Sequence, residues 1–263
     1  MKTFLFICIL SAVFADPRAK FLSRIVNGLD AEPNEFPWQV SLQYWSEANL
    51  RFSHICGAVV INETKILTAA HCVEHDSTVS KYEIVAGEHN LNIPSGNEQR
   101  RQLSKITTHS EYTSSGGYNN DIAVLTLSSS LTLTGEIVKA ATLPLSTQTF
   151  TGRNCTISGW GRTVANGALP DVLQKASTKV ISHSDCRSSL GLIGLLYLNS
   201  AAHICIYSGI NSACNGDSGG PLVCDIDGTW TLAGVTSWGL ADCPVGSPSV
   251  YARVSSYIDF INE

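Results

Sequence analysis

From Ile25 onward the chain alternates short apolar runs, many of them β-branched, with breaks rich in Gly, Pro, Asn and Ser. The runs read PWQVSLQY, CGAVVI, KILTAA, YEIVAG, DIAVLTL, CTISGW, HICIY, PLVCDI and WTLAGVTSW, and the breaks include 94–97, 114–120 and 165–170. Many short strands separated by turn signals predict an antiparallel sandwich or barrel. Helical periodicity is clear only at the end, where Val254, Tyr257, Ile258 and Ile261 follow the i, i+3, i+4, i+7 rule and predict a helix docked by that stripe. A shorter helix is expected near Ser184. Both helices read as packing elements without chemistry.

The composition, 44% hydrophobic and 15% charged over 263 residues, supplies apolar mass for one large domain or two packed barrels and excludes disorder and coiled coil. The first residues, MKTFLFICILSAVFA, place Lys2 before an apolar run from Phe4 to Leu10, with small residues Val13 and Ala15 at a cleavage position. Residues 1–15 therefore read as a secretory signal. No later stretch approaches ~18 unbroken apolar residues, so the expected mature protein is soluble and extracellular, with no membrane partner.

Losing the signal removes Cys8, and the nine cysteines become eight, an even number that favours disulfides in an exported chain. Sequence alone leaves their pairing open, and none shows the CxxC spacing of a structural zinc site. The formal charge of −5 comes with no basic cluster, which argues against nucleic acid or an anionic membrane as partner.

Three residues stand out chemically. In CNGDSGGPLVC, Ser218 sits among glycines in a tight turn that exposes its hydroxyl and lets the backbone N–H groups of Gly216 and Ser218 converge on a developing oxyanion. In LTAAHC, His71 follows an apolar strand and precedes Cys72. In NNDIAVLTL, Asp121 opens an apolar strand and is drawn inward, where an unpaired carboxylate is costly and a histidine partner would relieve it. An activated nucleophile, a base and oxyanion donors are what acyl transfer requires. The competing readings are a Gly-rich hairpin for Ser218, a structural histidine for His71 and a solvated strand-start aspartate for Asp121. The other histidines, His54, His75, His89, His109, His183 and His203, read as polar or loop positions without such a frame. GDSGG also satisfies the G-x-S-x-G elbow of α/β-hydrolases, but that fold needs alternating strands and helices and the order Ser, acid, His.

IVNG, LTAAHC, NNDIAVL, SGWG, GDSGGPL and SWG occur in this order, and on these segments the chain resembles the chymotrypsin family of serine proteases over its whole length after Arg24. The resemblance implies two packed six-stranded antiparallel Greek-key barrels with a C-terminal helix and the active site between them. It carries His71, Asp121 and Ser218 over as the triad, with Ser237 bonded to Asp121 and the backbone from Ser237 to Gly239 pairing with substrate. It implies disulfides Cys56–Cys72, Cys155–Cys224, Cys186–Cys205 and Cys214–Cys243. It divides the chain into signal (1–15), activation propeptide (16–24) and protease domain (25–263). Cleavage after Arg24 by a trypsin-like protease would free the Ile25 amine to pair with Asp217. The chain is identified as a secreted serine endopeptidase acting on proteins or peptides, as a monomer.

Specificity follows from the same likeness. Ser212 stands where trypsin-like members carry a pocket-floor Asp, so cationic P1 side chains lack a buried partner. Gly239 leaves the pocket mouth open, and large apolar P1 groups are expected. Ser249, where those members resemble each other in having Gly, shortens the pocket and keeps an elastase-like preference as the alternative; Ala213 does not settle it. The loop GEHNLNIPSGNE resembles the family's calcium loop, with Glu88, Glu98 and the carbonyls of Asn90 and Ile93 as oxygens, against the plain reading of an acidic surface loop. No cofactor is expected for catalysis. Sequons stand at Asn62 and Asn154. A non-catalytic binding protein on the same scaffold is the remaining functional alternative.

Overall fold

The computed structural model describes residues 28–163, 167–209 and 213–263. The expected signal and propeptide, Arg24 and Ile25 at the expected cleavage point, and Ser212, expected on the pocket floor, lie outside the described residues.

The first half closes into a six-stranded antiparallel barrel of β2 (Gln39–Ser46), β3 (Arg51–Val60), β4 (Lys65–Thr68), β5 (Tyr82–Ala86), β6 (Gln99–Thr108) and β7 (Ala123–Leu127), in the spatial order β2-β3-β4-β7-β6-β5. The second half is built likewise from β8 (Asn154–Gly159), β9 (Gln174–Ile181), β10 (His203–Tyr207), β11 (Pro221–Ile226), β12 (Thr229–Trp238) and β13 (Ser249–Arg253), and closes through the β8–β9 pairing. The short β1 (Leu29–Asp30) adds to the edge of β9. This is the expected all-β architecture of two six-stranded barrels.

The strand pattern explains the closure. In β9, Gln174, Ala176, Thr178 and Val180 are buried while Ser177 and Lys179 are exposed, the period of two that a half-buried strand requires. Val40, Leu42, Ile66, Ile84 and Leu125, all fully buried, fill the first barrel; Ile157, Val180, Ile204, Leu222 and Tyr251 fill the second.

The halves meet backbone to backbone. Gly57 in β3 donates its N–H to the carbonyl of Ser218 at 2.7 Å, and a Cβ on Gly57 would lie 2.7 Å from the Cα of Gly220. Thr68 Oγ1 donates to the Gly57 carbonyl at 2.9 Å, and Ser158 Oγ donates to Gln39 Oε1 at 2.7 Å across the seam. Four disulfides, Cys56–Cys72, Cys155–Cys224, Cys186–Cys205 and Cys214–Cys243, staple the strands and loops. The first closes a loop of 16 residues around His71, for which loop-closure entropy gives about 3 kcal/mol.

The helices differ from expectation in length. The one near Ser184 is the longer: α1 (His183–Tyr197) has 15 residues, whereas α2 (Ile258–Asn262) has 5 and follows a 3-10 turn at Val254–Ser256. Ser182 caps α1 by accepting the Asp185 N–H at 3.1 Å, and Gly191, at φ 58°, interrupts it. Only Cys186, Leu190 and Gly194 of α1 are buried, while Leu192, Leu195 and Leu196 face outward, so its apolar residues form no clean stripe to read. No helix among the described residues is long and apolar enough to cross a membrane.

Leu125 lies at the centre of the first barrel with no exposed surface. Leu125→Ala is expected to cost about 2–5 kcal/mol, measured as a lower urea midpoint at unchanged slope.

Candidate active site

β4 ends at Thr68 and the chain turns through a 3-10 turn at Ala70–Cys72, which places His71 at the seam. Asp121 lies just before β7 and is 1% exposed, as its apolar context requires. Its Oδ1 accepts the His71 backbone N–H at 2.9 Å, and its Oδ2 accepts from His71 Nδ1 at 2.7 Å and from Ser237 Oγ at 2.5 Å. A carboxylate oxygen only accepts, so Nδ1 carries the proton and Nε2 of the neutral ring is left with its lone pair. That arrangement fixes the tautomer and orientation of the His71 imidazole. Ser218 lines the same cleft of about 470 Å³ as His71.

The turn carrying Ser218 is shaped by Asp217. Its buried carboxylate accepts the N–H groups of Gly161 at 2.8 Å and Cys214 at 2.9 Å, while its own N–H donates to the Cys214 carbonyl at 2.9 Å. Burial pushes its pKa up to about 6, the two backbone donors acting in the opposite direction. The glycines of SGWG follow from this: a Cβ on Gly159 or Gly161 would collide with the Asp217 carboxyl. Gly216, at φ 101°, and Ser218 donate their backbone N–H to no acceptor among the described residues.

Two histidines first read as polar or loop positions are strand residues, His54 half-buried and His203 in the interior. His54 in β3 accepts from Ser41 Oγ at Nδ1 (2.9 Å) and donates from Nε2 to the Gly216 carbonyl (3.1 Å), so it steadies the turn before Ser218. His203 in β10 is 1% exposed and donates to the carbonyl of Tyr118 at 3.3 Å. Tyr118 also went unread, lying inside a turn-rich break; its ring meets His71 edge-on at 5.7 Å.

Beside Ser218 opens a second cleft of about 330 Å³, walled by Ser237, Trp238 and Gly239 on one side and Cys214 and Asn215 on the other. Asp242 at its exposed rim is the one charged residue of the described lining. Ser249 is 3% exposed, and its Oγ accepts the Ala213 N–H at 3.3 Å, which ties the hydroxyl into the wall.

Glu88, Asn90, Ile93 and Glu98 belong to the separate β5–β6 loop. Glu88 is 7% exposed, and its acidity is weakened by burial and by the facing Glu98. Glu98 in turn accepts the N–H groups of Ser95 and Gly96. Two carboxylates that repel across a short loop form a donor set suited to a hard cation.

The buried histidines set a pH dependence. Burial lowers His54 and His203 to about 4, so each contributes stability that is complete above the ordinary histidine value and is lost as pH falls through about 4. Asp217, raised to about 6, has the opposite sign, its contribution being lost as pH rises through that value. Comparing variants separates the two. Between pH 7 and pH 4, His54→Gln should remove up to about 3 kcal/mol of the wild-type loss in unfolding free energy, read by urea titration at each pH.

Comparison with known proteins agrees with this geometry. The Trypsin family profile matches residues 25–261. The chain is 40% identical to the fibrinolytic enzyme, isozyme C, of Lumbricus rubellus over 91% of this chain and 99% of that protein. It is 39% identical to a chymotrypsin-like serine proteinase of Haliotis rufescens over 96% of each, and 40% identical to trypsin-1 of Astacus astacus over 90% of this chain and 98% of that protein. Matched over nearly its whole described length and folded as two closed barrels around one cleft, the chain belongs to the trypsin family and is a serine endopeptidase.

Proposed function

We propose that Ser218 is the nucleophile, His71 the general base and Asp121 the carboxylate that orients it, in a two-step acyl transfer. The hydroxyl of Ser218 attacks the scissile carbonyl while its proton passes to His71 Nε2. The same imidazolium then protonates the leaving amine, and water hydrolyses the acyl-enzyme by the reverse roles. The backbone N–H groups of Gly216 and Ser218 take up the oxyanion, a contribution typically worth about 10²- to 10³-fold per donor. The observation that carries this reading is the Asp121 carboxylate, buried at 1% exposure and satisfied by His71 and Ser237 together. No cofactor enters these steps.

The chain is read as an exported precursor with a signal at 1–15 and a propeptide at 16–24, activated by a trypsin-like protease that cuts after Arg24. The new Ile25 ammonium would reach Asp217, whose buried carboxylate has only backbone donors among the described residues and whose pKa is pushed up to about 6. A cation there offsets the desolvation and orders the turn that carries Gly216 and Ser218. The active form is read as a secreted monomer acting on proteins and peptides.

For P1, large apolar side chains such as Phe, Tyr or Leu fit best. The described pocket lining has its one charge at the exposed rim, and the Ser249 hydroxyl is occupied by the Ala213 N–H. Calcium would be held by Glu88 and Glu98 with the carbonyls of Asn90 and Ile93, and supplies structural charge compensation when bound. Chelation is then expected to lower Tm in the wild type and to leave Glu88→Gln unchanged, by calorimetry with and without Ca²⁺.

The decisive experiment is hydrolysis of a peptide library varied at P1, before and after trypsin treatment, with trypsin then inhibited. Activity should appear only after cleavage, favour Phe, Tyr or Leu, and be absent from Ser218→Ala. A preference for Ala or Val would replace the chymotrypsin-like assignment by an elastase-like one, and full activity in the uncleaved chain would refute the switch.

A further inference from the structure

The segment leading into Asp121 is held in an unfavourable conformation. Tyr118 and Asn120 both adopt left-handed backbone angles, φ 52° and 55°, which side-chain-bearing residues adopt only when their surroundings enforce it. The enforcing contacts come from the second half of the chain. Gly117, at φ 94°, packs so closely on Tyr197 at the end of α1 that a Cβ would lie 2.6 Å from the tyrosine Cβ. Tyr257 OH donates to Asn120 Oδ1 at 3.1 Å. Between these two anchors, the carbonyl of Tyr118 accepts from His203 Nε2 at 3.3 Å.

His203 is placed as a two-sided connector. Its Nδ1 accepts the backbone N–H of Asn199 at 3.0 Å, just past α1, so Nε2 must carry the proton that goes to Tyr118. Burial lowers its basicity to about 4 and keeps the ring in this neutral, one-donor one-acceptor form. The ring meets Trp238 edge-on at 5.8 Å, next to the Ser237 whose hydroxyl bonds Asp121. Its backbone is fixed independently: the His203 N–H donates to the Asn199 carbonyl at 2.8 Å, and its carbonyl accepts from Arg253 at 2.6 Å. Strand β10 does not need the imidazole for its register, and what the ring does need to reach is Tyr118.

We propose that His203 is a positioning residue for the wall beside His71: its imidazole ties the Tyr118 carbonyl to the exit of α1 and so holds the Tyr118 ring edge-on to His71. The inference rests on the reading of His71 as the base. It adds that the aromatic wall flanking His71, on which substrate residues preceding P1 would lie, is set from the second barrel through one buried ring.

The test uses the full chain after trypsin activation, with competent sites counted by the burst of a p-nitrophenyl acyl ester. Rates per competent site are then measured on an apolar tetrapeptide amide and on a single-residue ester that lacks P2. His203→Leu fills the space without either hydrogen bond, and it should lower kcat/KM on the tetrapeptide about tenfold, with a smaller effect on the ester. His203→Gln, able to accept from Asn199 and donate to Tyr118, should restore the value to within about threefold. In a Tyr118→Ala background, His203→Leu should add less than about twofold. Should His203→Leu fail to fold, His203→Asn, which is too short to reach Tyr118, is expected to show the same substrate-dependent loss. Per-site rates on the tetrapeptide within about twofold of wild type, equal losses on both substrates, or losses that multiply in the double variant would overturn the proposal. A wild type that shows no burst would refute the acyl-enzyme reading itself, whereas a normal burst with an unaffected His203 variant refutes only the positioning role.

Discussion

The contact on which the rest of the molecule depends is the close approach of two backbones at Gly57 and Gly219–Gly220. The Gly57 N–H bonds the Ser218 carbonyl, and no side chain fits between the two segments. Gly219 is also at φ 75° and donates to the Thr236 carbonyl at 2.8 Å, so one tight turn is anchored to β3 of the first barrel and β12 of the second. Because main-chain atoms touch directly, the placement of the Ser218 backbone against the first barrel does not depend on rotamers. A pre-set geometry of this kind removes much of the orientational entropy from the reaction.

Around that contact two buried carboxylates are treated in opposite ways. Asp121 receives three donors, from the His71 backbone, the His71 ring and Ser237, and this arrangement fixes the imidazole. Asp217 receives two backbone N–H groups and remains a weakened acid, held against glycines that leave it room. A fully satisfied carboxylate is a rigid support, whereas an under-satisfied one responds strongly to any cation brought near it. The difference between the two carboxylates is thus one of hydrogen-bond count and nearby charge.

Much of this was legible in the sequence, and the reasons it was legible also mark the limit. The strands announce themselves through apolar runs cut by Gly, Pro and Asn, and His71, Asp121 and Ser218 sit in local patterns whose chemistry is local. Tyr118 was hidden because its importance lies in a strained backbone and a ring contact, neither of which composition encodes. His203 and His54 were hidden because a histidine among apolar strand residues looks the same whether it faces water or bridges to another segment. The glycines of SGWG could be seen but not explained, since the group that excludes a side chain there, the Asp217 carboxyl, is more than fifty residues away in the chain. The length of α1 escaped because its apolar residues surround the helix instead of marking one face.

The distribution of the disulfides carries a mechanical consequence. Cys56–Cys72 lies wholly in the first half of the chain, and Cys155–Cys224, Cys186–Cys205 and Cys214–Cys243 lie wholly in the second. Each cross-link restrains the barrel that contains it and contributes nothing to holding one barrel against the other. Among the described residues the junction between them is therefore fastened by packing, hydrogen bonds and the Glu35–Lys175 ion pair, with the 128–153 connection as a tether. Oxidative stapling protects the two halves as objects, while the cleft shared by His71 and Ser218, which forms where they meet, keeps the stability of a non-covalent joint.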